Sequence, residues 1–123
     1  MSVESKELKI NQQLQQINLE QDDKSREIRE LEELEADYFS IHHQEQRYYQ
    51  ELIGNNQGSH YIGQFMELEE EANRLHQYDR QRLEEIAERL VSEEVQLQNK
   101  EEELYHARKQ LFVEEVEDTS YGY

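Results

Sequence analysis

The chain has 123 residues, of which 35% are charged and 34% hydrophobic, and it contains no cysteine. Its formal net charge of −17 disfavours nucleic acid and anionic lipid surfaces as partners, and the lack of cysteine excludes disulfides and thiol catalysis. The apolar content is lower than in most globular domains, so we expect a thin core that gains stability from a binding partner.

The N-terminal segment, residues 1–10, lacks the basic and then apolar layout of a signal peptide. No stretch of the chain approaches the roughly 18 consecutive apolar residues of a membrane span. We therefore expect a cytoplasmic protein that does not bind membranes. Export by a route independent of a signal peptide is an alternative.

A first helix is predicted over about residues 4–53, because apolar residues recur there at spacings of three, four or their sums. This stripe consists of Leu8, Leu14, Ile17, Ile28, Leu31, Leu34, Tyr38, Ile41, Tyr48 and Leu52. Polar residues interrupt it at Gln21 and Lys24, and its phase drifts. The interruption and the drift favour a loose helical bundle over a strict two-stranded coiled coil.

A turn is predicted at residues 54–59. The chain contains no proline, and three of its four glycines, Gly54, Gly58 and Gly63, lie within ten residues of one another near its midpoint. Glycine and asparagine tolerate the positive φ angles of tight turns, and Ser59 is a suitable N-cap for a following helix. The midpoint is therefore the place where the chain reverses direction.

A second helix is predicted over about residues 60–113, with a second stripe of similar period. This stripe consists of Ile62, Phe65, Ala72, Leu75, Leu83, Ile86, Leu90, Leu97, Leu104 and Leu111. Folding the chain at residue 57 brings Ile17 near Leu97 and Leu31 near Leu83, which matches the stripes layer by layer. We therefore predict an all-α domain over residues 1–113, an antiparallel hairpin of two long helices, and a flexible acidic tail at 114–123.

No catalytic or cofactor-binding pattern is evident, so we predict that the protein is not an enzyme and binds no cofactor. Glu103 and His106 have the Glu-x-x-His spacing of di-iron bundles, but such sites need a second copy and further carboxylates. His42, His43 and His76 lie on helical segments, where partly exposed polar positions are ordinary. We predict no metal site.

The tyrosines and the apolar residues near the turn are the candidates for partner binding. Tyrosine suits an interface because its ring packs while its hydroxyl stays hydrated. Two helices cannot bury every apolar residue around the turn, although for any one tyrosine an ordinary place in the hairpin core is an equal alternative. The predicted partner-binding residues are Tyr38, Ile41, Tyr48, Tyr49, Leu52, Ile53, Tyr61, Phe65 and Met66.

Three segments of the chain also resemble a known family. The segments Ile17-Asn-Leu-Glu-Gln21, Arg26-Glu-Ile-Arg-Glu-Leu-Glu-Glu-Leu-Glu35 with Tyr38-Phe39, and Glu101-Glu-Glu-Leu-Tyr-His-Ala-Arg-Lys-Gln-Leu111 resemble small acidic helical proteins encoded beside LXG toxins of bacterial type VII secretion systems. The resemblance covers roughly residues 12–112. It implies a WXG-like hairpin that completes a helical bundle with the N-terminal helical LXG region of a toxin, together with a second small partner.

The chain departs from the broader WXG pattern, because its turn contains no Trp-x-Gly and Tyr105 is followed four residues later by Lys109 instead of an acidic residue. A stabilising or adaptor role is therefore the expectation, which makes the protein a non-enzymatic targeting chaperone for an LXG toxin. The alternative is a self-associating coiled-coil scaffold, with a homodimer formed in the absence of partners, or a prefoldin-like holdase.

Overall fold

The computed structural model describes residues 2–120 and contains two long helices, α1 over Val3–Asn55 and α2 over Ile62–Ser120. The helices run antiparallel and pack against each other, which confirms the predicted all-α helical hairpin. The start of α1 and the turn lie within about two residues of the predicted boundaries. The backbone of Ser2 begins α1, and its hydroxyl accepts the N–H of Ser5 at 3.1 Å, as an N-cap does.

The end of α2 differs from the prediction. The helix continues to Ser120, seven residues beyond the boundary set at 113. The segment after residue 113 contains neither proline nor glycine before Gly122, so nothing in it breaks the helix despite acidic residues near the negative end of the helix dipole. The last three residues of the predicted tail lie outside the described residues.

The turn is closed by hydrogen bonds from side chains to backbone. The amide of Asn56 donates to the carbonyl of Leu52 at 2.6 Å, and Gln57 donates to the carbonyl of Ile53 at 3.2 Å. These bonds satisfy carbonyls that the end of α1 leaves free. Gly58 has φ of 79°, which only glycine adopts readily.

The chain packs as two compact units, each built from a segment of both helices. The terminal unit comprises Met1–Glu27 with Leu90–Tyr123, and the turn unit comprises Ile28–Arg89. In the terminal unit five side chains are at most 9% exposed; they are Leu14, Ile17, Leu90, Leu97 and Leu111. This unit therefore has a conventional aliphatic core.

Polar contacts between the helices of the terminal unit confirm their antiparallel pairing. Arg108 donates from Nη1 to Oδ1 of Asn11 at 3.0 Å. The ammonium of Lys24 forms an ion pair with Glu93 and a second one with Glu27 at 3.2 Å. The hydrogen bond to Glu93 is the main cause of a raised pKa at Lys24. The interruption of the α1 stripe at Lys24 is thus matched by a carboxylate on α2.

In the turn unit, one apolar side chain is at most 9% exposed, that of Leu31. Four members of the predicted stripes in this unit are instead exposed: Leu34 to 57%, Ile41 to 61%, Tyr48 to 60% and Leu75 to 60%. In the terminal unit Leu8 is 60% exposed. The stripes are therefore wider than the core, because a helix packed against a single neighbour buries a narrower strip than the full width of its apolar stripe.

Over the described residues, neither helix contains an apolar stretch that is long enough to cross a membrane.

Candidate partner-binding site

A network of polar side chains occupies the middle of the turn unit. The hydroxyl of Tyr38 lies 2.6 Å from Nδ1 of His76, and Nε2 of His76 lies 2.8 Å from a carboxylate oxygen of Glu45. Because a carboxylate only accepts, Nε2 carries the proton, and in the neutral ring Nδ1 accepts the proton of the Tyr38 hydroxyl. This chain of hydrogen bonds links α1 to α2 twice, on both sides of the His76 ring.

The Tyr38 hydroxyl remains a neutral donor in this setting. Burial raises its pKa above the ordinary value, and the nearby carboxylate of Asp79 raises it further. A carboxylate oxygen of Asp79 lies 3.5 Å from the hydroxyl, and the carbonyl of His76 lies 3.4 Å from it. The single proton of the phenol therefore goes to Nδ1 of His76, the nearest of three acceptors on α2.

His42 packs on this network without a hydrogen bond of its own. Its ring centroid lies 3.9 Å from that of His76, and its plane is parallel to that of Tyr38 at 6.4 Å. Among the described residues its buried Nδ1 has no hydrogen-bond partner. Burial lowers the pKa of His42, and the charges of His76 and Arg80 lower it further. The imidazole therefore behaves here as an aromatic packing group.

A row of exposed apolar side chains runs along α1 beside this network. Leu34, Ile41 and Tyr48 follow one another at seven-residue spacing, which places them on one side of the helix, and each is at least 57% exposed. Glu45 lies four residues after Ile41 and three before Tyr48, so it shares their side of α1. The row lies on the side of α1 away from Gln46 and Gln50, which are each two residues from Tyr48 and line a groove on the other side of the inter-helix contact.

A second row lies on α2, on the same side of the turn unit. Leu68 and Leu75 are also seven residues apart, and they are 49% and 60% exposed. Both line an open groove of about 340 Å³ that Glu45 and Tyr49 of α1 border from the other helix. We call the two rows together the apolar face; its members are Leu34, Ile41, Tyr48, Leu68 and Leu75.

The other side of the turn unit is polar. A groove of about 230 Å³ shares Glu45, Tyr49, Ala72 and His76 with the first groove, so the two grooves flank the same line of inter-helix contacts. Its remaining lining residues are Gln46, Gln50, Glu69 and Asn73. On this side the guanidinium of Arg80 lies 5.6 Å from the centre of the Phe39 ring. Phe39 is itself 44% exposed, so this side carries some exposed apolar surface as well.

Residues 6–111 match a family described as "Protein of unknown function (DUF3958)". The chain belongs to this family. The matched range includes the turn and most of both helices, so family membership extends over both units. No curated protein and no solved structure matches the chain.

The structure divides the nine predicted partner-binding residues into two groups. Ile41, Tyr48, Tyr61 and Met66 are at least 55% exposed. The other five are half-buried and take part in the packing of the hairpin; they are Tyr38, Tyr49, Leu52, Ile53 and Phe65. Ile41 and Tyr48 belong to the apolar face, whereas Tyr61 and Met66 lie at the start of α2.

Three members of the apolar face, Leu34, Leu68 and Leu75, were absent from the predicted partner-binding residues. Leu34 and Leu75 had been listed only as members of the predicted apolar stripes. The sequence did contain a signal for Leu34: Leu34, Ile41 and Tyr48 repeat every seven residues. The first two of them each follow Leu31 and Tyr38 by three residues, so they form a second row beside those positions.

The metal candidate does not assemble into a site. Glu103 and His106 are both exposed on α2. Within the part of the chain that the structure describes, no group of three or more histidine, cysteine or acidic side chains is arranged to hold a metal ion.

Proposed function

We propose that this protein is a non-enzymatic partner of an LXG toxin of the type VII secretion system. It binds the N-terminal helical LXG region of the toxin, stabilises it and helps to present it for export. The observation that carries the proposal is the apolar face, five side chains from two helices that are each at least 49% exposed, of which Leu68 and Leu75 line one groove. A surface of this kind is typical of a site for another helix.

The energetic argument is independent of the family resemblance. In the turn unit the polar residues Tyr38, His42 and His76 take part in the contact between the helices, and Leu31 is its one apolar side chain that is at most 9% exposed, so few apolar groups are fully buried in this pairing. A helix laid along the apolar face would bury Leu34, Ile41 and Leu75 and would bind only the folded hairpin. Such a ligand stabilises the fold by mass action.

The test is co-expression of the full chain with the N-terminal region of the LXG toxin encoded beside it, followed by light scattering after size exclusion. We expect a mixed complex of defined stoichiometry. The double variant Ile41→Gln with Leu75→Gln should lose the complex. The matched control is Leu8→Gln with Leu19→Gln, because these two leucines of the terminal unit are 60% and 61% exposed, against 61% and 60% for Ile41 and Leu75.

This choice of positions refines the predicted contact set. A charge at Tyr49 or Phe65 would abolish binding in the simplest hypothesis, but both residues are half-buried, so such a variant would also disturb the hairpin. Polar substitutions on the exposed members of the apolar face avoid this ambiguity. Loss of the complex in the control variant, or its retention in the face variant, would contradict the proposal.

The same face is also what a second copy of the chain would cover, so self-association is the second candidate function. A homo-oligomer that ignores the toxin would favour this scaffold role. A holdase would in addition suppress aggregation of unrelated denatured proteins, which a dedicated toxin partner would leave unaffected.

A further inference from the structure

Acidic side chains flank the apolar face along both helices. On α1, Asp37 lies three residues after Leu34 and four before Ile41, so it is within one helical turn of both. On α2, Glu71 has the same relation to Leu68 and Leu75. We call the acidic residues three or four positions from a member of the face the acidic rim; they are Glu30, Asp37, Glu45, Glu51, Glu71 and Asp79.

The rim is dominated by one sign of charge. Glu30, Asp37, Glu51, Glu71 and Asp79 are exposed, whereas Glu45 is half-buried beside His76. Continuing the seven-residue spacing of the α2 row beyond Leu75 leads to a basic side chain, Arg82, whose guanidinium lies 5.9 Å from the ring of Tyr78. Asp37 and Glu71 thus border the face on α1 and α2, and Glu45, Glu71 and Asp79 also line the open groove beside Leu68 and Leu75.

We infer that the occupant of the apolar face is an amphipathic helix whose apolar stripe is bordered on both edges by lysine or arginine. This inference rests on the proposed function and specifies the partner's chemistry. The rows provide apolar positions at helical spacing, and the rim provides carboxylates where the flanks of a docked helix would lie. From Leu34 to Tyr48 the α1 row is about 21 Å long, which corresponds to about four turns of a partner helix.

The rim also argues against a second copy of this chain as the occupant. The chain carries a net charge of −17, and pairing two such faces would bring acidic rims together. Like charges across an interface disfavour the wrong partner, so the surface selects a partner of opposite charge.

The experiment measures the binding of fluorescein-labelled synthetic peptides of about 16 residues to the full chain by fluorescence anisotropy at low salt. Three peptides share the same leucines: one has lysines on both flanks at helical spacing, one has glutamates at those positions, and one is a scrambled form of the lysine peptide. We expect the lysine peptide to bind at least about tenfold more tightly than the other two.

Matched variants separate the face from the general negative charge of the chain. Ile41→Gln with Leu75→Gln should weaken binding of the lysine peptide by about tenfold or more, whereas Leu8→Gln with Leu19→Gln should leave it unchanged. Neither pair alters the net charge. Unchanged binding in both pairs, or equal binding of the lysine peptide and its scrambled form, would show attraction to charge alone, and equal weakening by both pairs would show that the face is not the site. Each of these results would overturn the inference.

A variant that gains binding of the glutamate peptide gives a stronger test, because an unfolded variant would lose binding and not gain it. Asp37→Lys with Glu71→Lys should improve binding of the glutamate peptide and weaken that of the lysine peptide, because the rim then carries basic groups within a turn of the apolar rows. An unchanged preference in this variant would overturn the role of the rim.

The peptide assay and the toxin assay fail in different ways. If the toxin co-purifies but the peptides bind without preference, the proposed function stands and the inference about the partner's charge is wrong. If the lysine peptide binds at the face but the toxin does not co-purify, the inference stands and the assignment of the toxin as the partner is wrong.

Discussion

The two units of this hairpin use the same helices but join them by different chemistry. In the terminal unit, leucine and isoleucine side chains such as Leu14, Leu90 and Leu97 are buried against the opposite helix. In the turn unit, Leu31 is buried to the same extent, and the contact continues through Tyr38, His42 and His76. Both units also expose apolar side chains, so the difference lies in how the helices are joined: by an aliphatic core in the terminal unit, and by a contact that includes polar aromatic groups in the turn unit.

Both units also have an open groove with charged side chains on its border. The groove of the terminal unit, about 330 Å³, is bordered by Leu97 and by Glu20, Asp23, Lys24, Glu27 and Glu93, among others. The groove on the apolar side of the turn unit is bordered by Leu68 and Leu75 together with Glu45, Glu71, His76 and Asp79. The two grooves differ in that Leu68 and Leu75 are exposed, whereas Leu97 is buried.

The largest effect on stability is expected in the terminal unit. Leu90→Ala should lower the free energy of unfolding by about 3 kcal/mol, because Leu90 is 4% exposed and its truncation leaves a cavity between the helices. Urea denaturation followed by circular dichroism measures this change. Leu75→Ala on the same helix is the control, and it should change stability by less than about 0.5 kcal/mol because that side chain is exposed. Similar losses in both variants would remove the distinction between the units.

A smaller effect is expected from the polar network of the turn unit. Tyr38→Phe removes the donor to Nδ1 of His76 and should cost about 1–2 kcal/mol, because a half-buried nitrogen loses its partner. The same denaturation measurement applies, with Tyr48→Phe as a control at an exposed ring of the same chemistry. A neutral result for Tyr38→Phe would mean that water replaces the hydroxyl without loss.

The smallest effect is expected from pH and depends on His42. Since burial depresses the pKa of His42 in the folded state below its ordinary 6.5, the unfolded chain takes up a proton first as pH falls. The contribution of neutral His42 to the free energy of unfolding is therefore complete above about pH 6.5. Below that pH the free energy of unfolding falls, by no more than about 1.4 kcal/mol per pH unit. Tyr38, Glu45, His76 and Arg80 set the electrostatic environment of this site.

Denaturation curves recorded between about pH 7.5 and about pH 5 test this expectation. Replacing His42 with phenylalanine should flatten the decline in that range, whereas His106→Gln, at an exposed position of the terminal unit, should leave it in place. An equal decline in the wild-type chain and the His42→Phe variant would assign the pH dependence to other groups.

The hairpin could be predicted from the sequence because its determinants are local. The absence of proline, the glycines near the midpoint and the helical spacing of the apolar residues each favour two helices joined by one turn. These features do not depend on which residues face each other across the hairpin.

The surface was less predictable because it depends on how each helix is rotated toward its neighbour. Leu31 and Leu34 are three residues apart and equally apolar, yet one is buried and the other is 57% exposed. Hydrophobic spacing places both on the same broad side of α1, and only the position of α2 separates them. The apolar pattern therefore predicted a partner-binding region near the turn. It did not separate the stripe residues that are buried, such as Leu31, from those that are exposed on the apolar face, such as Leu34.

The polar network and the ion pair were missed for a related reason. Lys24 and His76 resembled interruptions or ordinary polar positions in apolar stripes, because their partners Glu93, Tyr38 and Glu45 are far away in sequence. The role of a polar residue in an apolar stripe becomes clear only when its hydrogen-bond or ion-pair partner on the opposite helix is known.

At Gly58 in the turn, the backbone conformation limits which residue can replace the glycine, whereas the available space does not. A Cβ atom at Gly58 would meet nothing within 4 Å, so the surroundings would accept a larger side chain. The φ angle of 79° nonetheless strains any L-amino acid there, whatever its size, whereas the mirror-image D-residue fits that backbone without strain. Gly54 and Gly63 have the same open surroundings but lie within helices, where alanine is the better helix former. Of these three neighbouring glycines, the one at 58 is thus the one that the backbone requires, because its achiral α-carbon accepts a φ angle that L-residues avoid.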